Sequence, residues 1–358
     1  MINERQQDPM DILIHKRDNK ALLSSVEIRT AGERIILLPG KNAISRLKTA
    51  ADPHSSIREG EPDAVLLGRF DPEEYKALRL TFPGVPLYMS KEIMMMAEVE
   101  ELFSPSVPRM PAPTVVKPGR SFKAGQAAIT PQASPGGPTK FLIETPEGNV
   151  LFDPRDSVWT RDPGSIPTGI DIIVTGTTKD TAHKEAPGGN VILFREIKEA
   201  LSRKDNITLL FASPYDIGAI IKSYKAAQAE RALFVIDLKS ALIFERLKKL
   251  INGLPSSDSK GVRIRFDGGS VEKLEKRGYR SLLFFLGKKK IDIFGINRER
   301  GKILLIADVD SATSDILRKI DGIKGAKAII PMKGSAPDAG ILDLCKKRGL
   351  DPVTLELT

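Results

Sequence analysis

The chain has 358 residues, 41% hydrophobic and 28% charged, and its 55 lysines and arginines against 46 aspartates and glutamates leave a net charge of +9. That balance belongs to a folded globular protein and excludes a disordered or fibrous one, and the length suits two or three domains, since single cores stop growing near roughly 250 to 300 residues. One cysteine, Cys345, excludes an internal disulfide and a cysteine-built zinc knuckle, while His15, His54 and His183 lie far apart with no HxH or HxxxH spacing, which argues against a histidine-rich zinc site.

In chain order, the first 18 residues mix charges of both signs and lack the apolar stretch of a signal peptide, so the cytoplasm is the expected location. Residues 24–39 read as a hairpin of two apolar strands around an Ala-Gly turn. Ala64 to Leu67 predicts a buried strand, and Asp71-Pro72-Glu73-Glu74 a helix start, with acidic residues at the positive end of the dipole, continuing through Leu80. A strand from Val85 to Met89 and a helix from Lys91 to Phe103 follow; Met94, Met95 and Met96 in it read as core filling. After a proline-rich connection over 104–120, strands are expected at 127–130, 140–144, 149–152 and 172–175.

From Val191 the pattern changes to helices and strands in alternation. A helix over 193–202, a strand over 208–212, a helix over 217–229 and a strand over 232–236 make βαβ units and predict a parallel sheet. The longest apolar runs, Ser281 to Leu286 and Ile303 to Ala307, read as buried strands, far short of the roughly 20 residues that cross a bilayer. A helix over 313–320, a strand over 328–331 and a last helix and strand complete the chain, with Cys345 read as a small buried hydrophobe.

The positive charge is uneven. Residues 187–300 hold 23 lysines and arginines against 13 acidic residues, so the whole excess sits there. Lys273, Lys276, Arg277 and Arg280, the run Lys288 to Lys290, and Arg298 with Arg300 are its densest parts. Such clustering attracts phosphate backbones, though a solvated lysine face is the commoner meaning. At 6% aromatic content, no stacking platform for single strands is evident.

Five segments, in this order, resemble the metallo-β-lactamase fold with an inserted β-CASP domain, and within it the ribonuclease J-like and exonuclease branch. EPDAVLLGRFDPEEYKALRLTFPGVPLYMS is similar to that family's strand, metal motif, helix and following strand; KFLIETPEGNVLFDPRD to the hairpin before its "GDF" motif; and IIVTGTTKD to its "EGTT" turn. LLFASPYDIGAIIKSYKAAQAERALFVIDLKSAL is similar to the start of the β-CASP segment, and KILLIADVDSATSDILRKIDGIKGAKAIIPMKG to the closing block. The resemblance implies an αββα sandwich over residues 1–186, a β-CASP α/β domain over 187–300, and a return to the first domain over 301–358.

The chemistry implied is two-metal phosphodiester hydrolysis, in which Zn²⁺ or Mn²⁺ ions clamp the phosphate and activate a water. The matching positions no longer carry its ligands. The HxHxDH motif falls on Arg69, Asp71, Glu73 and Glu74, the next histidine on Ala133, the bridging aspartate on Arg155 or, one residue on, Asp156, and the last two histidines on Ser311 and Lys333. No Zn or Mn pair is therefore expected, and Arg69, Arg155 and Lys333 are expected to form a salt-bridge network with the surrounding carboxylates. An oxygen-only Mg²⁺ or Mn²⁺ site built with Asp153, Asp308 and Asp310 is the open alternative, making a divergent nuclease.

With catalysis lost, the implied roles are binding RNA or single-stranded DNA, or binding a protein partner, as a homodimer or with an active relative. Ser213 takes the place of a backbone-contacting serine, although Ser-Pro is also a common helix entry. Tyr215, Lys239, Arg263, Arg265, Lys288, Lys289 and Lys290 are the other candidate contacts.

Overall fold

The computed structural model describes residues 10–15, 25–30, 33–38, 62–82, 84–104, 112–132, 138–156, 168–177, 189–204, 206–307, 311–332 and 339–356. The chain divides into two compact units, Met1–Thr181 and Ala182–Thr358.

The first unit is built from two mixed sheets. One runs β1 (Asp11–His15), β2 (Ser25–Thr30), β3 (Glu33–Leu38), β4 (Ala64–Leu67), β5 (Leu87–Met89) and β6 (Thr114–Val115), in that spatial order. The hairpin predicted around 24–39 is its β2–β3 pair, antiparallel, and from β3 onward the pairing is parallel. Two helices make the parallel crossovers, α1 (Pro72–Thr81) and α2 (Lys91–Phe103). Both connections move in the same direction along the sheet, so right-handed crossovers place both helices on one face.

The second sheet runs β7 (Phe122–Ala124), β8 (Ala127–Gln132), β9 (Lys140–Thr145), β10 (Gly148–Asp156) and β11 (Ile172–Thr177), antiparallel except for the last pair. Alternation sends every second residue between the sheets. Val26, Ile28, Ile35, Leu37, Ala64 and Leu66 from one sheet thus share a core with Ile129, Phe141, Ile143, Val150 and Phe152 from the other. Phe141 and Phe152, directly paired across β9 and β10, stack at 6.3 Å.

The second unit is a seven-stranded parallel sheet. Its strands are β12 (Thr208–Phe211), β13 (Leu233–Asp237), β14 (Val262–Arg265), β15 (Lys290–Ile291), β16 (Ile303–Ala307), β17 (Lys327–Met332) and β18 (Asp351–Glu356), arranged β15-β14-β13-β16-β12-β17-β18. Helix α3 (Gly189–Ser202) precedes the first of them, and α4 (Ile217–Ala229), α5 (Leu238–Leu247), α6 (Gly268–Lys276), α7 (Arg280–Gly287), α8 (Ile293–Arg298), α9 (Ser311–Lys319) and α10 (Ala339–Arg348) connect them. After β12 the chain moves to β13, and after β16 it moves the other way to β17. Right-handed crossovers then place α4 and α9 on opposite faces. One face packs Leu209, Val235, Ile303 and Leu305 against Ile296 of α8, Leu317 and Ile320 of α9, and Leu344 and Cys345 of α10.

Two expectations are corrected here. Residues 301–358 do not return to the first unit: β16 lies between β13 and β12, and β17 pairs with β12, because all-apolar β16 needs a neighbour on each side. The run Ser281 to Leu286 is helical, inside α7. Its buried residues, Leu283 and Leu286, are three apart, the spacing of one helical face.

Candidate functional site

The candidate residues fall in two regions, one in each unit. In the first, the turn between β4 and α1 lies against the end of β10. Gly68 makes this approach possible: a Cβ there would stand 2.6 Å from the Thr139 carbonyl oxygen and 2.7 Å from Pro154 Cγ. The Thr139 amide in turn donates to the Gly68 carbonyl at 2.7 Å.

The charged residues that follow Gly68 then go separate ways. Asp71 is the N-cap of α1, its Oδ1 accepting from the amides of Glu73 at 2.9 Å and Glu74 at 3.0 Å. Pro72 and the acidic first turn complete a favourable start. Arg69 is half-buried, Glu73 is exposed and Glu74 is buried. Consecutive helical positions differ by about 100°, so these two carboxylates do not converge.

Asp153 is nearly fully buried. Because Val150 and Phe152 face the inter-sheet core, alternation turns Asp153 to the opposite face of β10, away from that core. There its carboxylate meets Lys140 Nζ of β9 at 3.3 Å. Lys140 was not among the residues singled out by sequence; it and Asp153 each lie one residue beyond the Phe141–Phe152 pair of the β9–β10 register, a placement only a known pairing reveals.

Ala133, Lys333, Asp308 and Asp310 lie outside the described residues, as do His54 and His183, and of Arg155, Asp156, Ser311 and His15 only the backbone is described. Among the described residues, no three His, Cys, Asp or Glu side chains are grouped to hold a metal ion. Asp71 and Asp153, engaged by helix amides and by a lysine, do not fit a pair of dications.

In the second unit the carboxyl ends of the parallel strands carry Ser213, Tyr215, Lys239 and Arg265, whereas Lys288 to Lys290 lead into the amino end of β15. Outside the ends of β12 and β16, where successive connections leave in opposite directions, an open α/β sheet forms a crevice. Ser213 is exposed just past β12, and its Oγ accepts from the Tyr215 amide at 3.3 Å. It does not cap the helix; that part is played by Asp216, whose Oδ1 accepts from the Ala219 amide at 3.3 Å. From the first turn of α5, just past β13, Lys239 brings its Nζ to 5.5 Å from the Tyr215 ring centroid. Ser213, Tyr215 and Lys239 are thus brought together.

Arg263 and Arg265 stand on β14, one strand further along, and the lysine run follows α7. Lys290 lies 5.7 Å from the centre of the Phe266 ring and Lys288 5.9 Å from that of Phe284. Phe284 is 77% exposed and Phe294, on α8, 70% exposed. The low overall aromatic content hid this: few aromatics are present, but these stand in solvent among lysines. The strand reading of Ser281 to Leu286 concealed them, since it placed both Phe284 and Phe285 in the core.

No protein-family model matches the chain, and no curated protein does. A crystal structure of a protein of unknown function from Enterococcus faecalis V583 is similar over 97% of this chain and 88% of that one, with a TM-score of 0.60 and 13% identity. That likeness is one of fold. A B3 metallo-β-lactamase with an active-site glutamic acid matches 46% of this chain and 76% of its own, at 17% identity and a TM-score of 0.28, too slight a likeness to bear on the site. No helix among the described residues is long and apolar enough to cross a membrane.

Proposed function

We propose that this protein binds nucleic acid, and that it is a relative of the metallo-β-lactamase/β-CASP ribonucleases whose metal centre has been lost. The observation that carries the first part is the set of rings and cations around α7, β15 and α8: exposed Phe284 beside Lys288, Phe266 beside Lys290, and exposed Phe294 lining a groove with Lys290. Every base has a π-face, so exposed rings among cations suit a single strand without demanding a sequence. Ser213, Tyr215 and Lys239 offer a second set of contacts at the ends of β12 and β13. The second part is supported by the use made of the carboxylates, with Asp153 held by Lys140 and Asp71 by the start of α1.

The test is affinity for short RNA and single-stranded DNA as a function of salt. Backbone contacts predict a steep loss of affinity as salt rises. Replacing Lys288 and Lys290 by glutamate should flatten that slope, whereas Phe284→Ala with Phe294→Ala should weaken binding about equally at all salt concentrations, by about 1–3 kcal/mol for each stacked base lost. Absence of binding at low salt would refute the proposal and favour the second reading, a protein-partner surface, for which the same exposed rings speak. A homodimer or a complex with an active relative would then be seen by light scattering. A reproducible pair of Zn or Mn ions per chain, found by elemental analysis, would overturn the loss of the metal centre; so would metal-dependent hydrolysis by a carboxylate-based site.

A further inference from the structure

Helix α8 and the edge of the parallel sheet line a groove of about 630 Å³, within the roughly 300–1,000 Å³ of small-molecule sites. The fold sets both of its walls. Arg263 is paired with Val235 across β14 and β13, and directly paired residues point to the same face of a sheet. Val235 packs in one core with Ile291 and with Ile296 of α8, so Arg263 stands on the α8 side. From the helix, Phe294 and Arg298 line the groove four residues apart, neighbours on one helical face. Leu233, the first residue of β13, adds an apolar part of the lining.

The two carboxylates of the groove are already engaged. Asp292 Oδ1 accepts from the Gly295 amide at 2.8 Å as the cap of α8, and Glu299 Oε1 pairs with Arg298 Nε at 3.2 Å. The terminal nitrogens of Arg298 remain, on a side chain 67% exposed. Arg263 Nη1 donates to the Val262 carbonyl at 2.9 Å, and no carboxylate among the described residues pairs with this guanidinium. Phe294 is 70% exposed, whereas Ile293 and Ile296 on either side of it in sequence pack against the core. The groove thus presents a bare ring and two guanidinium groups whose planar forks match phosphate.

We propose that this groove seats one nucleotide of a bound single strand, its base laid on Phe294 and its phosphate held by Arg263 and Arg298. The inference rests on the nucleic-acid reading and deepens it: a diffuse basic field holds only a polyanion, whereas a seat built for one unit also takes a lone mononucleotide.

The experiment is calorimetric titration of the full chain with adenosine 5′-monophosphate, adenosine and inorganic phosphate at constant ionic strength. The monophosphate should bind saturably, at least about fivefold tighter than inorganic phosphate, the worth of one stacked base, and about tenfold tighter than adenosine, the worth of one charged hydrogen bond. Phe294→Ala should abolish the advantage over inorganic phosphate with no change in thermal midpoint, since the ring is exposed. Arg263→Gln should abolish the advantage over adenosine. No binding of the monophosphate, or an affinity unchanged in either variant, overturns the proposal. Should the Arg263 variant fail to fold, Arg298→Gln alters an exposed side chain; its monophosphate affinity should fall, and an unchanged value again overturns the proposal.

Competition with a labelled single-stranded oligonucleotide distinguishes a strand from a free nucleotide. Displacement by adenosine 5′-monophosphate supports the seat, and independent binding of the two overturns its assignment to the strand. Charge reversal at Lys288 and Lys289, which do not line the groove, should weaken oligonucleotide binding and leave the monophosphate affinity unchanged. Oligonucleotide binding without monophosphate binding overturns the seat alone, whereas monophosphate binding without oligonucleotide binding overturns the nucleic-acid reading on which it rests.

Discussion

At the scale of single residues, Lys140 and Asp153 form the pair on which the first unit most plainly depends. Their side chains are 15% and 3% exposed, so removing one partner leaves the other charged and buried. Asp153→Ala should destabilise by about 3 kcal/mol, read as a drop in the urea midpoint, whereas replacing both residues by apolar ones of similar volume should recover most of the loss. Gly68→Ala is a second test. Its new Cβ would press on a backbone oxygen at 2.6 Å, which cannot rotate away, so a loss of roughly 1–3 kcal/mol is expected. Sequence could assign the residue types here but not their directions. Asp71, with Pro and two glutamates behind it, was legible as a helix start because capping is local. That Asp153 faces Lys140 follows from strand register, which links positions 13 apart and is written in no local pattern.

The elements were read well wherever one period ruled, as in α1, α2, α4 and β16, and misread at α7. A six-residue apolar run fits a buried strand or one and a half turns of helix, and length alone cannot arbitrate. The misreading matters for the proposed binding surface, since the helix turns Phe284 outward. Between α1 and α2, Tyr75 donates its hydroxyl to Glu101 at 3.0 Å, and Arg79 reaches the same carboxylate at 2.9 Å. Burial, and next the Glu101 charge, raise the Tyr75 phenol far above its ordinary value of 10.0. A raised folded-state value means a contribution fully present below pH 10 and lost as pH rises further, because the unfolded chain ionises first. Tyr75→Phe should therefore cost about 1 kcal/mol at neutral pH and remove the latest step from an alkaline tyrosinate titration. Asp237→Ala should cost about 1 kcal/mol through the lost cap of α5, measurable in the same denaturation assay.

For the molecule as a whole, the change from mixed strands to βαβ alternation near Val191 was legible in composition and period, and it falls close to the division at Thr181. The strand order was not, because it is a matter of which apolar edges meet in space. It carries a direct prediction: residues 182–358 expressed alone should unfold cooperatively, having their own sheet and core, while 182–300 should not, since β12 would lose both its neighbours. Circular dichroism during heating would distinguish a sharp transition from a gradual one.

The seat of β16 between β13 and β12 also sets a timetable. When β12 leaves the ribosome, neither strand that will flank it exists; the first, β16, begins at Ile303, roughly 90 residues after Phe211. At common elongation rates of about 5–20 residues per second the nascent chain carries that open seam for roughly 5–20 s. During those seconds TLLF is a bare apolar strand with both edges unclaimed, the kind of segment that nascent-chain chaperones cover and that pairs with a second copy if they do not.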